Sequence, residues 1–454
     1  MKIRYLIVLI APLLLFSQIR YSGKVAPKYL IKVSDGAEIS LPFRLAEFQL
    51  DYSHGDFELK TNSALETRWR DKSAKIDLRE IYLAWYPAIG ELKFGKIIHT
   101  WGAVDGNNPT DNINPYNYYY LFSTGADRKI GVFSGSAKLF WNNFNAELIV
   151  VPEHSANKLP LGEKDFPIPF PNIDRFAKII ANELMFGLRF QSEFNFGDFS
   201  IAYIDGHDNN FSWLRMTDLG HGTGIFVQAF GFRKTKMYGA DFVTFFQDFT
   251  IRSEAGYFQT NNKQYLEYEL GKNSFDPPYP QSYLDDQVSS MEKSRIGKVS
   301  STYWTPEIVV DYLQYVFQLE YSGFSNFTLG MQYLKTFIAD ISDVYEDYME
   351  FMQSEIVNFK PGMGTPFAAF TNSAVIVNGS TTLYDSRIDI EALTLINLEE
   401  TGFLIGSKFG YSPRENWELN LGIKKFIGDS NNPNNRFSQM EDFSHILIGI
   451  DYSF

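Results

Sequence analysis

Between Leu92 and Phe122 the chain reads LKFGKIIHTWGAVDGNNPTDNINPYNYYYLF, its densest run of residue types that can do chemistry. Asp105, Asn107 and Asp111 offer side-chain oxygens at close spacing. A hard cation such as Ca²⁺ takes about six to eight such ligands. The spacing departs from an EF-hand loop, so calcium is one use among three. The second is a purely structural fold-back. The third is a segment folded into a pore as its constriction, carried by Trp101, Asp105, Asn107, Asp111, Asn114 and Tyr118. Gly102, Gly106, Pro109, Pro115 and the intervening Asn and Asp residues each favour turns through their own backbone geometry, so the segment is compact in all three readings.

Other reactive groups are sparse. Of six histidines, His99, His207 and His221 are expected near one rim of the molecule. Asp205, Gly206, His207 and Asp208 form an acidic histidine cluster able to polarise water. No serine sits in a nucleophile motif, and covalent catalysis needs one beside a base. The chain is therefore not read as an enzyme, and a hydrolase site at the rim stands as a third alternative. The absence of cysteine excludes disulfides, thiol catalysis and Cys-based zinc sites. A net charge of −13 argues against nucleic acid as a partner.

The elements that must position these residues are written in the alternation. The chain ends HILIGIDYSF, with Ile446, Ile448, Ile450, Tyr452 and Phe454 on one face of a period-2 pattern. The same pattern recurs at 57–69, 184–194, 249–257, 314–321, 387–392 and 417–424. Aromatic residues make up 17% of the chain while total hydrophobic content is an ordinary 44%. Alternating segments of about ten residues separated by turns are the mark of a transmembrane β-barrel. A bilayer permits sheets only when they close, because an open edge leaves backbone groups unpaired. The expected fold is an all-β antiparallel outer-membrane barrel of about 16 strands, within 14–18, with long, partly helical extracellular loops. Short periplasmic turns are expected at 413–416, 378–379, 322–326, 247–248, 195–198, 141–144 and 87–91. Long outer loops then fall at 100–126, 153–182, 207–221, 261–305 and 339–365. Residues 39–53 also read as a strand and would raise the count to 18 with one further pass.

The alternation also names the residues expected to face the lumen: Lys60, Arg68, Arg79, Arg189, Glu193, Arg252, Glu254, Arg387, Asp389, Glu418 and Asp451. Their signs are balanced, which predicts cross-strand ion pairs rather than a single-sign filter. Helical spacing from Ile341 to Ile356 predicts an amphipathic helix over 337–356, and the proline-rich 155–182 is expected to end in a short helix. Lys2 and Arg4 before an apolar run to Phe16 read as a signal peptide over 1–17. The remainder divides into an N-terminal periplasmic segment, 18–38, and the barrel, 39–454.

GKIIHTWGAVDGNNPTDNINP resembles the G-K-Q-x-x-x-W-G-x-x-D-G-x-x-x-x-D-x-x-N-P signature of a large group of porin-like outer-membrane proteins, some associated with RND-type exporters. The matching positions are Gly95, Lys96, Trp101, Gly102, Asp105, Gly106, Asp111, Asn114 and Pro115, with Ile97 in place of the glutamine; LREIYLAWY at 78–86 fits the same group. The resemblance implies a barrel channel, or an envelope-transport component, of the bacterial outer membrane. It leaves open a solute-conducting pore and a non-conducting partner barrel of an export or lipid-transport system. The terminal Phe454 resembles the sorting signal read by the barrel assembly machinery. Expected partners are therefore that machinery, outer-membrane lipid and an unidentified small solute.

Overall fold

The computed structural model describes residues 18–123, 125–166, 177–179, 184–218, 226–262, 302–304, 308–343, 359–432 and 434–454. The proposed signal peptide, 1–17, lies outside the described residues. Strands follow in chain order: β1 Gln18–Val25, β2 Lys28–Lys32, β3 Phe43–His54, β4 Phe57–Arg68, β5 Ser73–Trp85, β6 Gly90–Ile97, β7 Val132–Trp141 and β8 Phe144–Val151. After these come β9 Ala177–Ile179, β10 Met185–Phe194, β11 Gly197–His207, β12 Ser212–Asp218, β13 Phe226–Gly231, β14 Lys234–Phe246, β15 Phe249–Asn261 and β16 Thr302–Trp304. The last are β17 Ile308–Phe324, β18 Phe327–Asp343, β19 Ser373–Leu383, β20 Ile388–Asn397, β21 Gly402–Arg414, β22 Trp417–Gly428 and β23 His445–Ser453.

Four of them, β9, β12, β13 and β16, make a separate small sheet; the other 19 form one antiparallel wall. Because β1 and β2 are two halves of one position, broken at Ala26-Pro27, the wall has eighteen staves. It closes where β2 pairs with β23 and where Lys24 and Val25 pair with Ser453 and Tyr452. Proline has no N–H to give the ladder. The Pro27 carbonyl still accepts from Ile450 N at 3.1 Å, so the seam holds across the break.

The extra passes beyond sixteen are β3, which the sequence signalled, and β1 with β2, which it did not. Residues 18–32 belong to the wall and are not a periplasmic segment. Their alternation is short and interrupted by proline, which hides it. Asn378-Gly379 is not a turn: it lies inside β19, and the turn comes at 384–386, where Tyr384, Asp385 and Ser386 all adopt positive φ. Residues 337–343 continue β18 instead of starting a helix, and the rest of that expected helix, 344–356, lies outside the described residues. Residues 177–179 are strand rather than helix. Helix among the described residues is confined to single turns such as Tyr118–Tyr120 and Arg436–Gln439.

Two hydrophobic cores sit inside the barrel, in the half nearer the long loops. One joins inward residues of β17 to β22, including Val316, Leu334, Ile376, Leu404 and Phe426, to Tyr116, Leu121, Phe370 and Phe443 from loops. The other joins Ile149, Met185, Ile204, Met237, Phe258 and Tyr312 to Trp101, Ile113 and Met363. The inward face is therefore polar near the short turns and apolar near the loops, because loops fill that half.

Where β6 leaves the wall, Gly95 holds φ +142, and a Cβ there would meet Tyr82 Cα at 2.7 Å. Such a backbone is open to glycine and strained for other residues. Gly95→Ala is expected to cost roughly 1–3 kcal/mol, read as a lower temperature for loss of the compact band in heat-modifiability gels.

Candidate functional site

Large apolar side chains point outward along the wall: Phe48, Leu59, Leu83, Phe94, Ile201, Ile405 and Ile450 are all well exposed. At the short-turn end this surface is ringed by Trp85, Trp141, Phe196, Phe246, Phe324 and Trp417. Toward the loops a second row runs through Tyr203, Tyr238 and Tyr257, with successive ring centroids 5.2 and 6.5 Å apart. On β14 the two rows, at Tyr238 and Phe246, are eight residues apart. At about 3.3 Å per residue and about 40° of tilt that is roughly 20 Å of height, close to the ~25 Å band of an outer-membrane wall. The stave number is even, and both described ends of the wall, Gln18 and Phe454, lie on the short-turn side, as in bacterial outer-membrane barrels. The chain is an outer-membrane β-barrel.

Between β6 and β7, residues 98–123 and 125–131 turn inward and cross the lumen. Their main anchor is Glu254 of β15, only 1% exposed. Its Oε2 accepts from Ala103 N at 2.8 Å, Val104 N at 3.3 Å and Asn108 Nδ2 at 3.1 Å, and its Oε1 from Thr110 N at 2.8 Å and Thr110 Oγ1 at 2.7 Å. The loop sequence makes this possible: turns at Gly102 and Gly106, both with positive φ, aim successive N–H groups at one carboxylate. Sequence reading placed Glu254 on the lumen wall; it lies there, but buried under the loop.

Each residue expected in the constriction has a definite post. Trp101 is buried and donates Nε1–H to Glu147 at 3.0 Å. Its indole packs against β10 where Gly187 has no side chain; a Cβ there would come within 2.7 Å of the ring. Asp105 is the exposed tip, its side chain 71% accessible, with Oδ2 accepting from Gln318 Nε2 at 2.6 Å and 3.5 Å from Arg252. Asn107 donates to Gln332 Oε1 at 2.7 Å. Asp111 forms a buried ion pair with Lys129, whose ammonium also donates to the His99 carbonyl at 2.8 Å. Asn114 staples the loop ends, accepting from His99 N at 2.7 Å and donating to the Ile97 and Ile130 carbonyls at 2.9 and 2.8 Å. Tyr118 is buried, with its N–H on the Lys158 carbonyl at 3.0 Å. Asp105, Asn107 and Asp111 are thus committed to different partners, and among the described residues no group of three acidic or histidine side chains could hold a metal.

The far side of the loop reaches the opposite staves. Arg44 donates to the Asp127 carbonyl at 2.7 Å and Arg79 to the Ala126 carbonyl at 2.9 Å, while Tyr120 donates to Glu66 at 2.8 Å. Arg44, Gln318, Gln332, Glu147, Asp127 and Lys129 were not singled out from the sequence. The charged run Asp127-Arg128-Lys129 directly after the loop was the available signal for two of them.

Several of the residues expected to face the lumen are in ion pairs. Arg189 meets Asp241 at 3.1 Å, Lys408 meets Glu418 at 3.3 Å, Lys24 meets Asp451 at 2.6 Å and Lys60 lies 3.8 Å from Glu58. Arg252 sits 3.5 Å from both Asp105 and Glu320. Arg79 lies 3.2 Å from Glu47, and Arg68 bonds Glu163 of the next long loop. Glu193 is exposed at the short-turn end of β10, and Asp389 lies beside Gly410 and Glu418. Arg387 is the exception: it belongs to the 384–387 turn and is exposed there, because β19 runs past Asn378-Gly379.

No family model and no curated protein matches the chain. Among solved structures it is similar to two proteins of Pseudomonas aeruginosa. OccK5 (OpdH) is 9% identical, with 96% of this chain and 98% of that chain covered and a TM-score of 0.48. OccK2 (OpdF), in complex with glucuronate, is 8% identical, with 96% and 97% covered and a TM-score of 0.49. OmpT, an outer-membrane protein of Vibrio cholerae, is 10% identical over 96% of this chain and 98% of its own, with a TM-score of 0.41. At that distance the ligand named with OccK2 is its own.

Two expectations concern how the loop is held. Glu254→Leu removes the acceptor of five donors, and each buried donor left unpaired costs about 1–3 kcal/mol; protease cleavage within 98–131 of the folded barrel is expected to rise sharply. The second concerns pH. Burial, helped by the Lys129 charge, pushes the His99 ring down to about 3 from 6.5. The unfolded chain then binds a proton that the folded loop refuses, so His99 destabilises the loop as pH falls from 6.5 toward 3. Protection factors of the loop amides, that is, exchange normalised to the intrinsic rate at each pH, are expected to fall over that window relative to pH 7, and less so in His99→Gln.

Proposed function

We propose that the protein is a solute-conducting channel, in which residues 98–131 narrow the lumen so that only small polar solutes pass. Eighteen-stave barrels are wide enough to enclose water. The observation that carries the reading is the position of the loop: it is bonded to Glu254 on the inner wall, so the lumen is narrowed from within and not merely capped. On the short-turn side the interior is lined by paired charges such as Lys24–Asp451 and Lys408–Glu418, which suits a wet passage.

Asp105, 71% exposed, and Asp127, 52% exposed, are the charges that the loop presents to this space. Arg44 and Arg79, the basic neighbours of Asp127, are 6% and 5% exposed, and Arg252 beside Asp105 is 21% exposed. Ions at the constriction therefore meet carboxylate first, which gives a mild preference for cations. Deleting Asp105 to Asn114 is expected to raise single-channel conductance in a planar bilayer; unchanged conductance in a folded variant would refute the constriction. In a salt gradient, Asp105→Asn is expected to move the reversal potential toward that of an unselective pore.

A further inference from the structure

The two hydrophobic cores take inward residues from β7 to β22, and among the described residues neither takes any from β3, β4 or β5. On those three staves the inward face is polar along nearly its whole length. At the short-turn end, Arg20 of β1 pairs with Glu58 at 2.9 Å. Level with the loop, Arg79 lies 3.3 Å from Asp127. Toward the outside, Lys158 lies 3.6 Å from Glu66. At the outer end Arg68 bonds Glu163, which also accepts from Tyr119 Oη at 2.9 Å.

We infer that solutes cross along this charged track, between β3–β5 and residues 119–123 and 125–128, by parting the bonds that Arg44, Arg79 and Tyr120 make across it, with the Arg68–Glu163 bridge as its outer gate, and that the preferred class carries both a cationic and an anionic group. The inference rests on the channel reading above. Among the described residues the apolar cores fill the outer half beside β7 to β22, which leaves this sector to a hydrated solute. Each level of the track offers a cation and a carboxylate side by side. A singly charged solute that breaks such a pair leaves one partner without its counter-charge. A zwitterion exchanges one complete pair for another at every level.

The chain has no cysteine, so introduced thiols report without background. Lys158→Cys and Asp127→Cys, each inserted in a planar bilayer and then treated with a bulky methanethiosulfonate reagent, are expected to lose most of their current. Glu415→Cys, exposed in the short turn between β21 and β22 and outside the passage, is expected to keep it. Modification follows insertion, so a folding defect does not imitate the result. Unchanged current through both modified track variants overturns the route, whereas a wild-type chain that carries no current overturns the channel reading itself. Glu163→Gln is expected to raise conductance, and an unchanged value removes the gate. In proteoliposome swelling, β-alanine is expected to enter faster than glycerol, a neutral solute of similar size; equal rates overturn the substrate class.

Discussion

Five hydrogen bonds onto one carboxylate, that of Glu254, set the interior of this barrel. A buried carboxylate is costly unless its lone pairs are filled. Here they are filled only when residues 103–110 lie across the lumen. That fixes Trp101 under β8 and Asn107 against β18, and it brings Tyr116 and Leu121 into the core formed by β17 to β22. The loop's position and the division of the lumen into a wet half and a filled half are consequences of the same contact.

The second constraint is that loop ends must be tied as well as its middle. Asn114 ties the end of β6 to Ile130 just before β7, and the Asp111–Lys129 pair neutralises a buried carboxylate of the loop itself. A buried pair of this kind adds little net stability, but losing one partner is expensive.

Much of the wall was legible in the sequence. Alternation and the placement of short turns gave closure, sidedness and most staves, because lipid on one face and water on the other impose period 2. It failed where that contrast weakens. β1 and β2 are short and split by Pro27, so their pattern is too brief to count. Asn378-Gly379 has the best local turn chemistry in its region, yet pairing with β18 and β20 carries the strand past it. The candidate site was half legible. The turn-rich run named the loop, and Glu254, expected on the lumen wall, lies beneath it. Gln318, Gln332 and Glu163 could not be found, because amide and carboxylate partners far apart in sequence leave no local periodicity.

The seam between the two ends of the chain has a consequence for assembly. Nearly every neighbouring pair of staves is a hairpin or adjacent in the chain, but Val25 must find Tyr452. That closure spans almost the whole polypeptide, and its entropic cost comes before any reward. Until β23 docks, β1, β2 and β23 are all open edges, which hydrocarbon does not tolerate and other chains readily extend. The barrel is therefore most exposed to misassembly at its final step, however sound its hairpins, and an unfinished chain needs those edges covered from outside until its last residues arrive.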